Sequence, residues 1–339
     1  MANYVEEQLI RPPYIKARPG THEPLIVLCS FLSRADNTPL SERSRADGHI
    51  LDHDGNVIPD PSASPSDNAF EGKPNINFEH WGEYWRKVHG VRFIHPETDV
   101  DANILEKLVR YDQLHRLAAG PTGTDTIPYR VPVDECRKLW PTVIGHIKSY
   151  NRPSWDGIAY LNFSRKDDIP FLLSSERVIK KILPEDKVIF RDIAPLLSKQ
   201  YIVIPSECGN EGVILVKTHQ RRSNIERTEF QKWWLEEYAP ELYKRNEERK
   251  FIKRYVQLHN IGPSAEGQPF YHEYTSSLDG VSLLSFSNIN DLEDYLRSPL
   301  YQDLANLEAE KNEATEYWTS TFITLVNRIY PEYSTYKDK

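Results

Sequence analysis

Two segments of the chain carry the same polar side chains at the same spacing. Residues 110–115 read Arg-Tyr-Asp-Gln-Leu-His and residues 254–259 read Arg-Tyr-Val-Gln-Leu-His, so five of six positions agree. Alternate residues of a β-strand share a face. Each segment therefore presents a tyrosine, a glutamine and a histidine together: Tyr111, Gln113 and His115 in the first, and Tyr255, Gln257 and His259 in the second. Because histidine exchanges protons near neutral pH and a tyrosine hydroxyl can stabilise an oxyanion, both triplets are candidate catalytic sites.

The same triplets also have a simpler explanation. A hydrogen-bonded core histidine would occur in both segments if the strand had been duplicated as a structural unit. Helices must cover one face of each sheet, and we expect the Tyr/Gln/His face to be the other one, lining an internal cavity. That orientation would make the triplets functional.

The residues around the two strands repeat in the same order. A helical stripe of aromatic residues precedes each strand, and an Asp-Gly pair begins a further strand after it. The matching residues are Trp81, Tyr84, Trp85 and His89 with Phe230, Trp233, Trp234 and Tyr238, and Asp156-Gly157 with Asp279-Gly280. Apolar runs at 25–28 and 213–216 begin the two copies, and runs at 201–204 and 322–326 end them. The sequence predicts an α+β fold in which two ferredoxin-like βαββαβ units form one barrel.

Helix-start signals support this element order. Thr228 and Gln231 have the spacing of a capping box. Ser298 before Pro299 supplies an N-cap and an N1 proline, and Ser175 stands at the equivalent place in the first copy. Residues 35–75, between the first strand and the first helix, are rich in Asp, Ser, Pro and Gly and predict a long loop insertion.

These motifs resemble the EthD domain, which belongs to the dimeric α/β-barrel superfamily. The residues that carry the resemblance are Tyr84-Trp85-x-x-x-His89-Gly90, Trp234-x-x-x-Tyr238-Ala239 and the two Asp-Gly strands that end in Phe-Ser. The resemblance indicates a tandem fungal type with copies at 23–206 and 211–335, after an N-terminal extension of residues 1–22. It implies two ferredoxin-like sheets that form a dimeric-α/β-barrel-like fold within one chain.

The resemblance also carries expectations about activity. Relatives of this fold include cofactor-independent cyclases, dehydratases, isomerases and monooxygenases that act on aromatic polyketides, and others bind haem. It places His89 at the edge of a pocket, whereas Tyr238 takes that position in the second copy. This divergence would mark the first copy as the one with the working pocket. Alternatively, His89 only complements the dipole at the end of its helix.

Composition excludes several classes of function. A net charge of −8 argues against binding to a phosphate backbone. The chain lacks an apolar run of about 18 residues that would cross a membrane, and its first twenty residues lack the apolar core of a signal peptide. Its three cysteines, Cys29, Cys136 and Cys208, have no metal-type spacing, and no nucleotide-binding glycine motif occurs. We therefore expect a cytoplasmic protein without a metal, a nucleic-acid partner or a membrane partner.

We predict an enzyme of secondary metabolism that performs dehydration, cyclisation or isomerisation on an aromatic or polyketide-like molecule without a cofactor. A histidine (His115, His259 or His89) would move the proton, and Tyr111 or Tyr255 would stabilise the enolate. The residues expected to contact the substrate are Tyr84, Trp85, Gln113, Tyr160, Asn162, Trp234, Tyr238, Gln257 and Ser285. Two alternatives stay open: a haem-binding oxidoreductase with an axial histidine, or a non-catalytic small-molecule-binding accessory protein. A homodimer would be compatible with each of these functions.

Other polar residues are expected to lie in solvent. Lys217 and His219 share a face near the end of a strand, where exposure is the simplest explanation for both. The Glu-rich segments 236–249 and 307–313 are typical of solvated helix faces. The aromatic stripes are expected to pack mainly against the sheet.

Overall fold

The computed structural model describes residues 25–35, 50–51, 57–58, 78–117, 122–124, 155–206, 211–329 and 332. The strands in these segments are β1 (Ile26–Arg34), β2 (Ile50–Leu51), β3 (Val57–Ile58), β4 (Leu108–Arg116), β5 (Thr122–Thr124), β6 (Gly157–Phe163), β7 (Phe190–Ile204), β8 (Val213–Arg221), β9 (Arg254–Asn260), β10 (Gly280–Phe286) and β11 (Asn312–Asn327). The α-helices are α1 (Phe78–Tyr84), α2 (Asp99–Leu105), α3 (Asp168–Leu173), α4 (Leu183–Ile189), α5 (Arg227–Trp233), α6 (Ala239–Arg249), α7 (Glu273–Ser277), α8 (Ile289–Arg297) and α9 (Pro299–Ala309). Three π-helical turns (Trp85–His89, Val178–Ile182 and Trp234–Tyr238) and a 3-10 turn (Gly90–Phe93) adjoin these helices.

Eight antiparallel strands close into a barrel. Their order around the ring is β4-β6-β1-β7-β9-β10-β8-β11, and pairing of β11 with β4 completes it. The short strand β5 adds to β11 outside the ring, and β2 pairs with β3 in a separate hairpin within the 35–75 insertion. One chain therefore forms a closed barrel whose strands all have two neighbours.

The two halves of the chain follow one strand order. In the first half the order is β7-β1-β6-β4, and in the second half it is β11-β8-β10-β9, which is the same order of corresponding strands. The last strand of each half is long, with 15 residues in β7 and 16 in β11. β7 pairs with β1 of its own half and with β9 of the other, and β11 pairs likewise with β8 and β4. These two strands join the halves, which is why they begin well before the apolar runs predicted at 201–204 and 322–326.

Two of the three expected helix caps are present. The Ser298 hydroxyl accepts a hydrogen bond from the Tyr301 amide at 3.2 Å, and the Ser175 hydroxyl accepts one from the Val178 amide at 3.3 Å. The predicted capping box at Thr228 is wrong, because the N-cap of α5 is Glu226, two residues earlier, and the Gln231 side chain points toward the sheet. Its side-chain amide donates to the carbonyls of Asn260 and Asp279, both at 2.9 Å, so it joins the helix to the sheet.

Buried side chains lie on both faces of the barrel wall. All eight barrel strands contribute to one apolar cluster in the barrel interior, and Phe31, Trp155 and Trp318 fill one end of it. The outer faces of the strands pack against helices. We call the helix-covered layer around Tyr111, Trp85 and His89 the first cleft. The corresponding layer around Tyr255, Trp234 and Tyr238 is the second cleft.

An ion cluster closes the opposite end of the barrel interior. Arg110 on β4 and Arg254 on β9 hold equivalent positions in the two halves, and both contact the carboxylate of Glu332. Arg254 donates to both Glu332 oxygens at 2.8 Å, and the Arg110–Glu332 distance is 3.3 Å. Burial alone would raise the pKa of Glu332, but Arg254 and Arg110 reverse that effect and hold the pKa below its ordinary value. The residue thus links the two halves electrostatically.

We expect Glu332→Gln to lower the free energy of unfolding by about 3–5 kcal/mol, because it leaves buried guanidinium groups short of a carboxylate. Denaturant unfolding at pH 7 measures this loss. Since the folded pKa of Glu332 is depressed, its stabilisation is present above the unfolded pKa of about 4.3 and is lost as the pH falls through the folded value. The difference in free energy of unfolding between Glu332→Gln and the wild type should therefore become smaller as the pH is lowered. The exposed Glu310→Gln is the control, and equal stability of Glu332→Gln and Glu310→Gln at pH 7 would contradict the account.

Candidate functional site

The two polar triplets lie on the helix-covered faces of their strands. Gln113 and Gln257 donate hydrogen bonds to backbone carbonyls of the covering helical turns, and His115 and His259 pack against the tryptophans of those turns. The prediction that the Tyr/Gln/His face lines the barrel interior is therefore wrong. A closed barrel covered by helices buries both faces of its strands, so polarity alone does not mark the inner one.

Within each triplet the side chains form a hydrogen-bonded chain. In the second half the His259 ring bonds Gln257 Oε1 at 2.9 Å, and Gln257 Nε2 donates to the Tyr255 hydroxyl at 3.0 Å. In the first half the corresponding distances are 3.2 Å and 2.9 Å. The same glutamine nitrogens donate to the Trp234 carbonyl at 3.0 Å and the Trp85 carbonyl at 2.9 Å. The three side chains of each triplet therefore lie together, as expected, but they lie between the sheet and the helices.

The carbonyls that accept from the glutamines begin π-helical turns. Trp85 O also accepts from the Gly90 amide, and Trp234 O from the Ala239 amide, five residues along in each case. Such a turn contains one more residue than an α-helical turn and often occurs at functional sites. It places His89 at the end of the turn in the first half and Tyr238 at the equivalent position in the second.

The Asp-Gly pairs provide the contact surface for the tryptophans. A Cβ on Gly157 would lie 2.7 Å from the Trp85 ring, and one on Gly280 would lie 2.5 Å from the Trp234 ring. Only glycine allows so close an approach of the indole to the strand. The adjoining Asp156 accepts a hydrogen bond from the Arg34 amide at 2.9 Å, and Asp279 accepts one from the Arg221 amide at 2.7 Å. These pairs therefore allow the helix to pack closely against the sheet in both halves.

The first cleft holds a histidine–carboxylate pair. His89 Nε2 lies 3.4 Å from Asp186 Oδ1 on α4. The His89 side chain is 5% exposed and that of Asp186 is 17% exposed, which places the pair at the edge of the cleft. The His89 ring packs at 5.8 Å from Phe93, and Phe93 packs at 5.2 Å from Tyr111. Burial raises the pKa of Tyr111, and the Asp186 charge adds to the shift, so the hydroxyl stays protonated and able to donate.

The second cleft contains a different set of charges. Lys217 on β8 forms a buried ion pair with Glu308 on α9, and its ammonium lies 5.6 Å from the centre of the Tyr301 ring. Burial raises the pKa of Tyr238 well above its ordinary value, and the neighbouring Glu308 charge adds to the effect. His219 is also buried, with its ring bonded to Ser282 at 2.9 Å. The predicted exposure of Lys217, His219 and Glu308 is therefore wrong, whereas Glu310 and Glu313 of the 307–313 segment are exposed as expected.

The triplet histidines are held in the neutral form. Burial lowers the pKa of His259 to about 3, with small contributions from His219 and Lys199. Burial likewise lowers the pKa of His115 to about 3. His259 also stacks on Trp234 with ring centroids 4.8 Å apart and an interplanar angle of 11°. A general base works best with a pKa near the working pH, so these two rings suit packing better than proton transfer at neutral pH.

The remaining candidate residues divide between the two layers. Tyr84 and Trp85 are buried in the first cleft, as are Trp234 and Tyr238 in the second. Tyr160, Asn162 and Ser285 instead face the barrel interior. Tyr160 and Asn162 both bond Gln200 Oε1, the latter at 2.8 Å. The structure thus separates the predicted substrate contacts into groups on opposite sides of the barrel wall.

Several charged residues in these layers could not be identified from the sequence. Asp186 and Glu308 lie in the second helical segment of each half, where no local pattern distinguishes them from solvated acids. Glu332 lies beyond the last strand. Arg110 and Arg254 did carry a signal, since they begin the repeated hexapeptide.

His115, His259 and His219 do not fit a haem ligand. The His115 and His259 rings are bonded to glutamines, and His219 is bonded to Ser282 and to Asn312 at 3.1 Å. A Cβ on Gly82 would lie 3.3 Å from His115 Nδ1, so α1 approaches that ring closely. An axial ligand needs a ring nitrogen that faces the macrocycle, and these rings face side chains and helices.

Solved structures match this chain at low sequence identity. No protein-family model matches the chain, and neither does any protein with a curated description. An anthrone oxidase-like protein matches with a TM-score of 0.48 and 9% identity, over 92% of this chain and 98% of that one. A proposed monooxygenase from Lactobacillus acidophilus NCFM matches with a TM-score of 0.43 and 8% identity, over 91% and 98%. A mutant chlorite dismutase from Candidatus Nitrospira defluvii matches with a TM-score of 0.40 and 9% identity, over 89% and 93%.

In the part of the chain that the structure describes, no helix is both long and apolar enough to span a bilayer.

We expect the His259 ring to stay uncharged between pH 5 and pH 8, because its folded pKa is about 3. An NMR titration of its ring protons should show no step in that range, whereas the urea-unfolded chain should titrate near 6.5. Since the folded pKa is lowered, the stability that depends on the neutral ring is present above about pH 6.5 and is lost as the pH falls toward 3. A titration step of the folded protein near pH 7 would make His259 an acid–base candidate again.

Proposed function

We propose that this chain is a small-molecule enzyme that works by acid–base chemistry in its first cleft, without a bound cofactor. The observation that supports this most strongly is the His89–Asp186 pair beside Tyr111. A histidine oriented by a carboxylate is a common form of protein general base, and a protonated tyrosine is a suitable donor to an oxyanion. In the second cleft, the buried Lys217–Glu308 ion pair takes the place of the histidine–carboxylate pair.

The proposed reaction begins with removal of a proton from carbon. The proton moves to the His89 ring from a carbon that is conjugated with a carbonyl group, either directly next to it or, as in anthrone, through aromatic rings, while Asp186 faces Nε2 and stabilises the charged ring. The electron pair of the broken C–H bond forms a C=C bond, and the π electrons of the carbonyl group move to its oxygen, which accepts a hydrogen bond from the Tyr111 hydroxyl. Return of the proton to another carbon isomerises the substrate, and its loss with a hydroxyl group as water dehydrates it. Attack of the enolate on a second carbonyl cyclises it.

The substrate we propose is an enolisable aromatic or polyketide-like molecule of secondary metabolism. Aromatic rings line the first cleft around His89, with Phe93 on one side and Phe190 at 6.0 Å between ring centroids on another. Flat rings pack favourably against such edges. Cyclisation, isomerisation and dehydration share the first proton transfer, so one site serves any of them.

We further propose that the chain is a tandem EthD-type protein with copies at 23–206 and 211–335 after an N-terminal extension. The equal strand order of the halves, the paired Trp–Gly contacts and the paired Gln–carbonyl hydrogen bonds support a duplication. A cytoplasmic location and assembly as a homodimer belong to the same proposal.

The test uses anthrone, a flat aromatic ketone whose CH₂ protons exchange through its enol. We expect the protein to accelerate exchange of these protons into D₂O under argon, followed by ¹H NMR. His89→Gln should slow the catalysed exchange by about 10²–10⁴-fold, the usual range for loss of a general base. Asp186→Asn should slow it less, because the base remains and only its partner is lost.

The control is His95→Gln, since His95 is an exposed histidine six residues beyond His89. It should exchange anthrone protons at the wild-type rate. Equal rates for His89→Gln and His95→Gln would remove His89 from the mechanism. Anthrone that binds but keeps its protons would instead favour an accessory binding protein. A Soret band after haem addition would favour the haem-binding alternative.

A further inference from the structure

The polar end of the barrel interior contains side-chain atoms that lack hydrogen-bond partners. Among the described residues, no partner contacts Asp112 Oδ1, Asn162 Oδ1, Gln200 Nε2 or Ser285 Oγ, and all four residues are at most 3% exposed. Buried polar atoms in folded proteins are almost always paired, with protein, with water or with a ligand. Four such atoms in one region would therefore be stabilised by a further hydrogen-bonding group.

The four side chains point into the barrel. Each lies two residues along its strand from a member of the interior cluster, and alternation then gives it the same face. The neighbouring cluster members are Leu114 for Asp112, Tyr160 for Asn162, Ile202 for Gln200 and Leu283 for Ser285. They belong to β4, β6, β7 and β10, so the unpaired atoms surround the interior.

These residues lie at the end of the barrel that Glu332 closes. Asn162 is paired across the sheet with Arg110, and Ser285 with Arg254. Asn162 Nδ2 donates to Gln200 Oε1 at 2.8 Å, which leaves Asn162 Oδ1 and Gln200 Nε2 for another partner. One bound molecule can therefore reach several of them.

Carboxylates already match the guanidinium groups at this end. Arg110 bonds Asp112 at 2.7 Å and also contacts Glu332, Arg254 bonds both oxygens of Glu332, and the Glu211 charge also acts on Arg254. An anionic ligand would enter this buried place without a counter-charge, which is unfavourable. The site therefore favours a ligand without negative charge, and the simplest is a neutral molecule.

We propose that the polar end of the barrel interior binds a small, neutral ring compound with two hydroxyl groups. The unpaired atoms include acceptors on Asp112 and Asn162 and a donor on Gln200. A hydroxyl group donates and accepts, so it satisfies both kinds. The walls between them are apolar, from Val256, Leu283 and the Tyr160 ring, and they pack against a ring. This site is distinct from the first cleft, because the barrel wall lies between the two.

Both ends of the interior are closed in this structure. The Glu332 ion pairs close one end, and Phe31, Trp155 and Trp318 fill the other. A ligand exchanges only when one of these groups moves. We therefore expect slow binding, and the experiment must allow long equilibration.

The test uses resorcinol as the probe on the full-length protein. Binding is measured by isothermal titration and by ligand-observed NMR after overnight incubation. Resorcinol should bind more tightly than phenol, and benzoate should not bind. Ser285→Ala and Asn162→Leu should each weaken resorcinol affinity about tenfold, the effect of one lost buried hydrogen bond.

The matched control is Ser282→Ala, on the same strand but on the opposite face, where Ser282 bonds His219. It should leave resorcinol affinity unchanged, as should His89→Gln, which separates this site from the first cleft. Thermal unfolding checks that each variant is folded. If Asn162→Leu does not fold, the resorcinol affinity of Ser285→Ala alone decides whether the site exists. Absence of resorcinol binding, equal affinity in Ser285→Ala and Ser282→Ala, or a crystal structure with only ordered water between these residues would each overturn the proposal.

Discussion

Two hydrogen bonds determine how the helices sit on the barrel. Gln113 and Gln257 donate to the Trp85 and Trp234 carbonyls, and each carbonyl also accepts the amide that closes its π-helical turn. The extra residue of the turn sets the tryptophan ring on a glycine of the neighbouring strand. A buried amide is costly to leave unpaired, so the glutamine, the turn and the glycine depend on one another. The position of His89 and Tyr238 at the ends of these turns follows from that arrangement.

Equivalent positions in the two halves carry different charges. In the first cleft His89 faces Asp186, and in the second Tyr238 lies beside a glutamate that Lys217 neutralises. The Lys217–Glu308 pair is buried, whereas the Asp186 side chain of the first pair is 17% exposed. This difference between the halves is the reason that we assign the proposed chemistry to the first cleft.

The strands of the barrel and the helices around them could be predicted because they depend on local periodicity and short motifs. The serine caps at Ser175 and Ser298 likewise need only the neighbouring residues. The inner face of each strand could not be predicted, because both faces are buried and polar residues occur on both. The burial of Lys217 depends on Glu308, which lies 91 residues away. Glu332, which joins the halves, lies in a segment without a periodic pattern.

The proton transfer proposed for His89 requires that the first cleft bind the substrate. A crystal structure of the protein grown with anthrone under argon tests it most directly. The account predicts the anthrone CH₂ carbon within about 3.5 Å of the His89 ring, the separation of a reactive geometry, with the ketone oxygen directed at Tyr111. Anthrone bound only in the second cleft, in the barrel interior or on the outer surface would contradict the account.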